Sequence, residues 1–334
     1  MVLHPTINPA TRSRFSTPVQ RLEMERLHPP THRRVSLPTG VLEIDTQASP
    51  ARLDDLCEFA ARINRKRGFL FVSRVLGRHV ATTPRIQREV WDRLIDELGG
   101  ALPGPVVFFT PAETAISMGH GVYRAYVERF GADDAVFMQS TRYRFDRPLL
   151  FEFSEEHSHA SRHLVYRPAP EICALLQAAR TLVVVDDEMT TGRTAANVRR
   201  AFAPHLPRLE HVTAVVLTDW STGRARRGDV MPVHSLLRGS YRFLPRPSEA
   251  LPAMPDVTSK DLPRDALLPR NDGRFGRLSP VRLTDAAKRA IDLQSGSRER
   301  IAVVGTGEFV TLPFLVAEHL ESLGADVYCH ATSR

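Results

Sequence analysis

Short apolar runs without alternation recur along this chain, and they set its architecture. Val106 to Thr110, Ala135 to Gln139, Leu182 to Val185 and Val212 to Thr218 are rich in valine and phenylalanine and bounded by proline, glycine or polar turns. Such runs fit strands covered on both faces, because a half-solvated strand would alternate. A helix over Ala115 to Phe130 separates the first two. Strands alternating with helices predict an α/β fold built on a parallel sheet with right-handed crossovers. Upstream, Gly40 to Ile44 reads as a short strand. Leu53, Leu56, Phe59, Ala60 and Ile63 recur at helical spacing and predict one amphipathic helix over Leu53 to Asn64. Phe69 to Val72 reads as a buried strand behind the basic knot Arg65-Lys66-Arg67, which is either a solvated turn or a clamp on an anion.

The pattern fades at both ends of this block. Residues 1–38 are rich in Pro, Thr and Arg with no apolar period, and read as a flexible basic arm. The main domain is expected over residues 39–238. Residues 239–297, rich in Pro, Arg and Asp, read as a connector with one helix at about Thr284 to Leu293. Residues 298–334 then spell strand, turn, helix and strand, through Ile301 to Glu308, Phe314 to Leu323 and Asp326 to His330. The Gly305-Thr-Gly307 turn reads as a site of tight packing ahead of a second phosphate cradle.

One stretch carries explicit chemistry. In Thr181-Leu-Val-Val-Val-Asp-Asp-Glu-Met-Thr-Thr-Gly-Arg-Thr194, an apolar strand ends in acids, and a hydroxyl-rich turn then opens a helix at about Thr194 to Ala201. Asp186 and Asp187 therefore emerge at the carboxyl end of a sheet strand, where open α/β sheets bind ligands. Carboxylates accept from vicinal sugar hydroxyls, and these acids or Glu188 can reach a magnesium ion held mainly by phosphate oxygens. Gly192 permits a close backbone turn. The amides of Thr191 to Thr194, with the hydroxyls of Thr190, Thr191 and Thr194, surround an anion at a helix N-terminus. A Walker A loop is excluded, since Asp187 stands at its first glycine and Arg193 replaces its lysine.

This segment resembles the phosphoribosyl-pyrophosphate loop of the type I phosphoribosyltransferases. Phe59 to His79, Glu113-Thr-Ala115, Gly119-His-Gly121 and Glu155-Glu-His-Ser-His-Ala160 resemble the divergent phosphoribosyltransferases of tellurium-resistance-associated stress operons. The C-terminal part resembles the domain, named TRSP for its Thr-Arg-Ser-Pro motif, that follows the transferase there. The chain stops at Thr332-Ser-Arg334, short of that motif, so a shortened or atypical TRSP-like domain is expected. The resemblance implies a magnesium-dependent transferase that uses 5-phosphoribosyl-1-pyrophosphate (PRPP) to make a nucleotide- or nucleoside-like metabolite, with an unassigned acceptor.

It also implies roles. Asp186 and Asp187 would hold the ribose and the metal, and Thr190, Thr191, Gly192, Arg193 and Thr194 the 5-phosphate. The loop of Pro111, Ala112, Glu113 and Thr114 after the first core strand would hold the diphosphate. Glu113 is odd there, an acid needing magnesium or a nearby arginine beside diphosphate; it reads as an indirect metal ligand, a sugar contact or a helix cap. The long segment from Ser140 to Arg167 occupies the place of the mobile cover. Its His157 and His159 are candidates for a general base or a leaving-group contact, against a metal pair or plain surface residues. Thr190 stands where purine-type transferases carry an aspartate, so the base comes from elsewhere or is not needed. Asp219 and Trp220 fall where the acceptor is contacted; Trp220 is a stacking platform or a core residue.

Composition narrows the partners. A net charge of +7 from dispersed arginine suits multiply phosphorylated small substrates. With aromatic residues at 7% and no stacking motif among the basic runs, nucleic acid is disfavoured as partner. Cys57, Cys173 and Cys329 form no metal or redox spacing, and no apolar run reaches membrane-spanning length, so a cytoplasmic enzyme, expected as a homo-oligomer, is the reading. A PRPP-binding regulator of RNA or of a protein partner, and a hydrolytic or phosphorylase-like enzyme, are the alternatives.

Overall fold

The structure, a computed structural model, is described for residues 31–47, 50–62, 67–154, 162–221, 231–246, 271–294 and 300–332. It opens with β1 (Thr31–Leu37), β2 (Gly40–Thr46), α1 (Pro50–Leu56), β3 (Cys57–Ala61) and β4 (Phe69–Ser73). The centre follows as α2 (Pro84–Leu98), β5 (Val106–Thr110), α3 (Ile116–Phe130), β6 (Ala135–Gln139), β7 (Leu149–Ser154), β8 (Arg162–Tyr166) and α4 (Pro170–Ala178). Next come β9 (Thr181–Met189), α5 (Arg193–Phe202), β10 (His211–Asp219) and β11 (Val233–Pro245). The last elements are α6 (Asp285–Gln294), β12 (Ile301–Thr306), α7 (Thr311–Ser322) and β13 (Val327–Thr332).

A 7-stranded sheet in the order β1-β2-β11-β10-β9-β5-β6 forms the core. β11, β10, β9, β5 and β6 run parallel, and β1 and β2 are antiparallel additions at one edge. Unalternated sequence becomes two-sided burial here. Phe108, Val183, Val185 and Val215 pack on one face with Val90 and Trp91 of α2, and with Met118 and Val122 of α3. Phe109, Val184 and Val216 pack on the other with Val198 and Phe202 of α5, Leu176 of α4 and Phe153 of β7. A parallel sheet needs both covers, since neither face carries polar side chains that could meet water.

Four expectations change. The 1–38 arm is not structureless throughout: Thr31–Leu37 pairs residue by residue with β2, so ladder hydrogen bonds order a segment that lacks a strong apolar stripe. The helix predicted over Leu53 to Asn64 stops at Leu56. Phe59 and Ala60 belong instead to β3, which pairs with β4 and sets Phe59 edge-on to Phe71 at 5.9 Å. Cross-strand aromatic packing outweighs a weak helical period there; Ile63 and Asn64 lie outside the described residues. Helix α2, not predicted, is well signalled: Thr83 accepts from the Ile86 amide, Pro84 opens the first turn, and Gly99 closes it at φ 75°.

The fourth change concerns the connector. Residues Gly239 to Pro245 continue β11, which runs beside β10 and then crosses to β2. Farther on, Arg277 and Gly273 hydrogen-bond the free edge of β6 at Phe137 and Gln139, so this part closes a sheet edge that would otherwise stay open. The helix expected near Thr284 appears as α6. The C-terminal strand, helix and strand are also as expected, with β12 and β13 parallel. They are not a detached lobe. Phe314, Leu320 and Val327 share the core cluster of α2 and α3, and β13 bridges to Thr82 through Cys329. The Gly305 turn is a packing site, because a Cβ there would lie 2.5 Å from the Phe309 carbonyl oxygen.

Candidate active site

β9 extends past its valines through Asp186, Asp187 and Glu188 to Met189, in register with β10 up to Asp219. Its neighbour β5 stops pairing at Phe109 opposite Val184. Beyond that point the acids have a sheet partner on one side and an open edge on the other. Successive side chains alternate, so Asp187 follows the face of Val183 and Val185, yet at the end of β9 its carboxyl stays within reach of the Asp186 carboxyl. All three acids are half-buried. The Asp187 amide donates to Asp186 Oδ1 at 3.0 Å. Burial pushes the Asp187 carboxyl above the ordinary carboxylate range; Asp186, Arg67 and Arg78 hold that rise in check.

Glu188 is engaged differently. Arg67 donates to Glu188 Oε1 at 2.7 Å, and its guanidinium lies over the rings of Phe69 at 5.0 Å and Phe71 at 5.7 Å. The hairpin of β3 and β4 thus carries one cation of the basic knot to the tip of β9; Arg65 and Lys66 lie outside the described residues. Burial pushes the Glu188 carboxyl up, with Arg67 opposing.

After Met189 the chain turns into α5. Gly192 takes φ 76°, a conformation in which a side chain is strained, and serves as the helix N-cap without a side-chain cap. Its carbonyl accepts from the Ala196 amide at 3.0 Å. Amides of the first turn have no acceptor within the helix, and they face the same end as the acids. The Arg193 amide is held by Thr191 Oγ1 at 3.4 Å. Thr191 and Arg193 are exposed, Thr190 and Thr194 half-buried. Such an arrangement can receive a phosphate group beside acceptors for hydroxyls.

The loop after β5 faces the same sheet edge. Its Ala112–Glu113 peptide bond is cis. Ser140 Oγ accepts from the Ala112 amide at 2.8 Å, and Arg142 Nη2 donates to the Ala112 carbonyl at 3.0 Å. Arg78 Nη2 donates to the Glu113 carbonyl at 2.5 Å, with Nη1 3.6 Å from the Glu113 carboxylate. Arg78 is the cation that an acid in this loop requires. No role for it is read from sequence, because the missing signal is proximity: 35 residues separate it from Glu113. Gly119 and Gly121, farther along α3, are explained by close packing: a Cβ would lie 2.5 Å from Thr110 Cβ at the first and 2.1 Å from the Trp91 ring at the second.

A model of the family described as phosphoribosyl transferase matches residues 56–234, over half of the chain and including β9, the turn and the loop after β5. The chain belongs to the phosphoribosyl transferase family. Among solved structures, the adenine phosphoribosyltransferase of Rhodothermus marinus is similar at 15% identity, over 57% of this chain and 99% of that one, with a TM-score of 0.37. That of Thermoanaerobacter pseudethanolicus gives 14%, 57%, 99% and 0.37. A hypoxanthine phosphoribosyltransferase from Staphylococcus aureus gives 11%, 46%, 73% and 0.30. No curated protein matches.

Not every expected residue of this transferase lies open to a substrate. Trp220 is fully buried and stacks on Phe71 at 4.4 Å and 10°, so it offers no ring face to an acceptor; its hydrophobic area is spent between the β3–β4 hairpin and β10. Asp219 is buried too, accepting from the Ser221 amide at 2.9 Å and from its hydroxyl at 2.5 Å. His157 and His159 fall between β7 and β8, outside the described residues. Among the described residues no cluster of three or more His, Cys, Asp or Glu could hold a metal ion. Two adjacent acids without a third protein ligand fit magnesium, which keeps waters and takes other oxygens from phosphates. No helix among the described residues is long and apolar enough to cross a membrane.

Proposed function

We propose that this phosphoribosyltransferase uses PRPP with magnesium to place a 5-phosphoribosyl group on an acceptor. The observation that carries this reading is the junction of β9 with α5, where hydroxyl acceptors on Asp186 and Asp187 adjoin an uncapped helix start turned by Gly192. Asp186 and Asp187 accept hydrogen bonds from the ribose hydroxyls. The turn from Thr190 to Thr194 holds the 5-phosphate through first-turn amides and hydroxyls. The loop of Pro111 to Thr114 receives the diphosphate, with Arg78 offsetting the charge of Glu113. Asp186 and Asp187 would approach a magnesium ion brought in with the donor, and that ion would supply charge neutralisation for the leaving diphosphate. The acceptor's lone pair forms a bond to C1 as the C1–oxygen bond breaks, and diphosphate departs with the electron pair. Positive character at C1 makes exclusion of water important, and His157 and His159, which lie outside the described residues, stay the candidates for a general base or a leaving-group contact.

On the motifs given above we place the chain with the tellurium-resistance-associated transferases, making a nucleotide- or nucleoside-like product, with the C-terminal unit as their TRSP-type domain. The test is diphosphate release from PRPP and magnesium over a panel of nucleobases, small carbonyl compounds and amines. Release that depends on one acceptor supports the reading. PRPP binding without release, coupled to altered affinity for RNA or a protein, supports the regulatory alternative. Free ribose 5-phosphate or base from a nucleoside identifies a hydrolase.

A further inference from the structure

We propose that the C-terminal unit of β12, α7 and β13 is a working part of the donor site, holding the loop after β5 in the shape that receives diphosphate, with Arg78 and Arg142 as positioning residues. The inference rests on the donor-site reading above and gives the C-terminal unit a task within it.

Three independent contacts run from this unit to the loop. The first passes through Arg78, which is 2% exposed: Nη1 donates to the Thr332 carbonyl on β13 at 3.2 Å, and Nη2 to the Glu113 carbonyl at 2.5 Å. One rigid guanidinium therefore spans the last strand and the loop, a fork geometry that an ammonium group cannot reproduce. The second passes through Glu308, at the turn after β12. Its fully buried carboxylate accepts from the Arg142 amide at 2.6 Å, from Thr141 Oγ1 at 2.5 Å and from Arg274 Nε at 3.1 Å. Arg142, fixed at its backbone in this way, donates through Nη2 to the Ala112 carbonyl at 3.0 Å. The third is apolar: Ala112 and Ile116 form a small buried cluster with Val310 at the start of α7 and Ala331 of β13.

The consequence follows from what these contacts occupy. Both carbonyls at the turn, those of Ala112 and Glu113, accept from arginines that the C-terminal unit holds, Arg142 through Glu308 and Arg78 through Thr332. With the carbonyls so held, the peptide planes are set and the amides that follow are left to an external acceptor. No hydrogen bond to the Glu113 or Thr114 amide occurs among the described residues. A loop of acidic Glu113 without Arg78 would turn negative charge toward diphosphate. The turn at α5 receives none of these contacts, so the 5-phosphate cup is independent of the C-terminal unit.

That asymmetry supplies the test. Arg78→Lys and Glu308→Gln are made in the full chain, with Arg300→Gln as a control that breaks the exposed ion pair to Asp326 in the same unit. Calorimetry with magnesium measures binding of PRPP, inorganic diphosphate and ribose 5-phosphate, and phosphorus NMR follows bound PRPP. Both site variants should weaken diphosphate and PRPP roughly tenfold through misplaced donors. Ribose 5-phosphate should stay within about twofold, because distant sites act independently. The diphosphate resonances of bound PRPP should shift while the 5-phosphate resonance stays. Should either variant fail to fold, Val310→Ala, which trims only methyl groups facing Ala112, carries the same comparison. Equal weakening of both ligands, or no weakening, overturns the proposal while leaving the donor site standing. Absence of PRPP binding by the unaltered chain overturns the donor-site reading and this one with it.

Discussion

Asp186 and Asp187 are side by side in sequence, yet their surroundings make them unlike. Asp187 faces Arg67 and Arg78 and titrates high through burial, whereas Asp186 accepts the Asp187 amide. Replacing both by Asn should abolish PRPP binding in calorimetry with magnesium while leaving the thermal midpoint close to that of the parent, since neither acid is part of the apolar core; retained affinity would count against the site. His120 is one residue whose titration bears on stability. It is buried, accepts from the Val281 amide through Nε2 at 2.9 Å, and its pKa is lowered to about 3 by burial, with Arg277 and Arg124 adding to the shift. The unfolded chain binds this proton at about pH 6.5, so the contribution is complete above that pH and is lost as pH falls toward 3. Urea titrations between pH 6.5 and 4 should show stability falling by about 1.4 kcal/mol per pH unit from this group, and His120→Gln should flatten that slope.

At the scale of elements, the junction of β9 and α5 depends on one backbone conformation. Gly192 is at φ 76°, and the space beside it is nearly open, with Met189 Sδ 3.8 Å from where a Cβ would sit. Strain, not collision, is therefore the penalty. Gly192→Ala should cost about 1–2 kcal/mol at this left-handed position and weaken ribose 5-phosphate binding by loosening the turn; an unchanged affinity would show that the turn does not hold phosphate. The β3–β4 hairpin shows how element identity can escape a periodic reading. Leu53, Leu56, Phe59 and Ala60 fit a helix on paper, but Phe59 and Phe71 can pack only across paired strands, against the stack of Phe71 on Trp220. Helix α2, by contrast, was not predicted although its signals stand in the sequence, with Thr83 and Pro84 at its start, Gly99 at its end and a stripe of Val90, Trp91, Leu94 and Ile95 between.

At the scale of the molecule, the C-terminal unit shares a core with the transferase domain. Phe314 of α7 is buried, its ring 4.6 Å from that of Trp91. Phe314→Ala should cost about 3–5 kcal/mol as a cavity in that core, and it should do so in a single unfolding transition reported by both tryptophan fluorescence, from Trp91 and Trp220, and far-ultraviolet dichroism. Two separate transitions would mean that the unit folds apart from the sheet.

What the sequence determined by itself is local. Of the parallel strands, β5, β6, β9 and β10 were written in unalternated apolar runs, whereas β11, whose burial alternates, was not; the candidate donor site lies in the fourteen consecutive positions from Thr181 to Thr194, because a strand end, a turn and a helix start are contiguous in the chain. Tertiary structure decided what distance along the chain conceals. Arg78 meets Glu113, Arg67 meets Glu188, Glu308 anchors Arg142, and Trp220 is enclosed by Phe71. Each of these depends on which surfaces the sheet brings together, and a charge or a ring carries no sign in sequence of the partner that will neutralise or cover it.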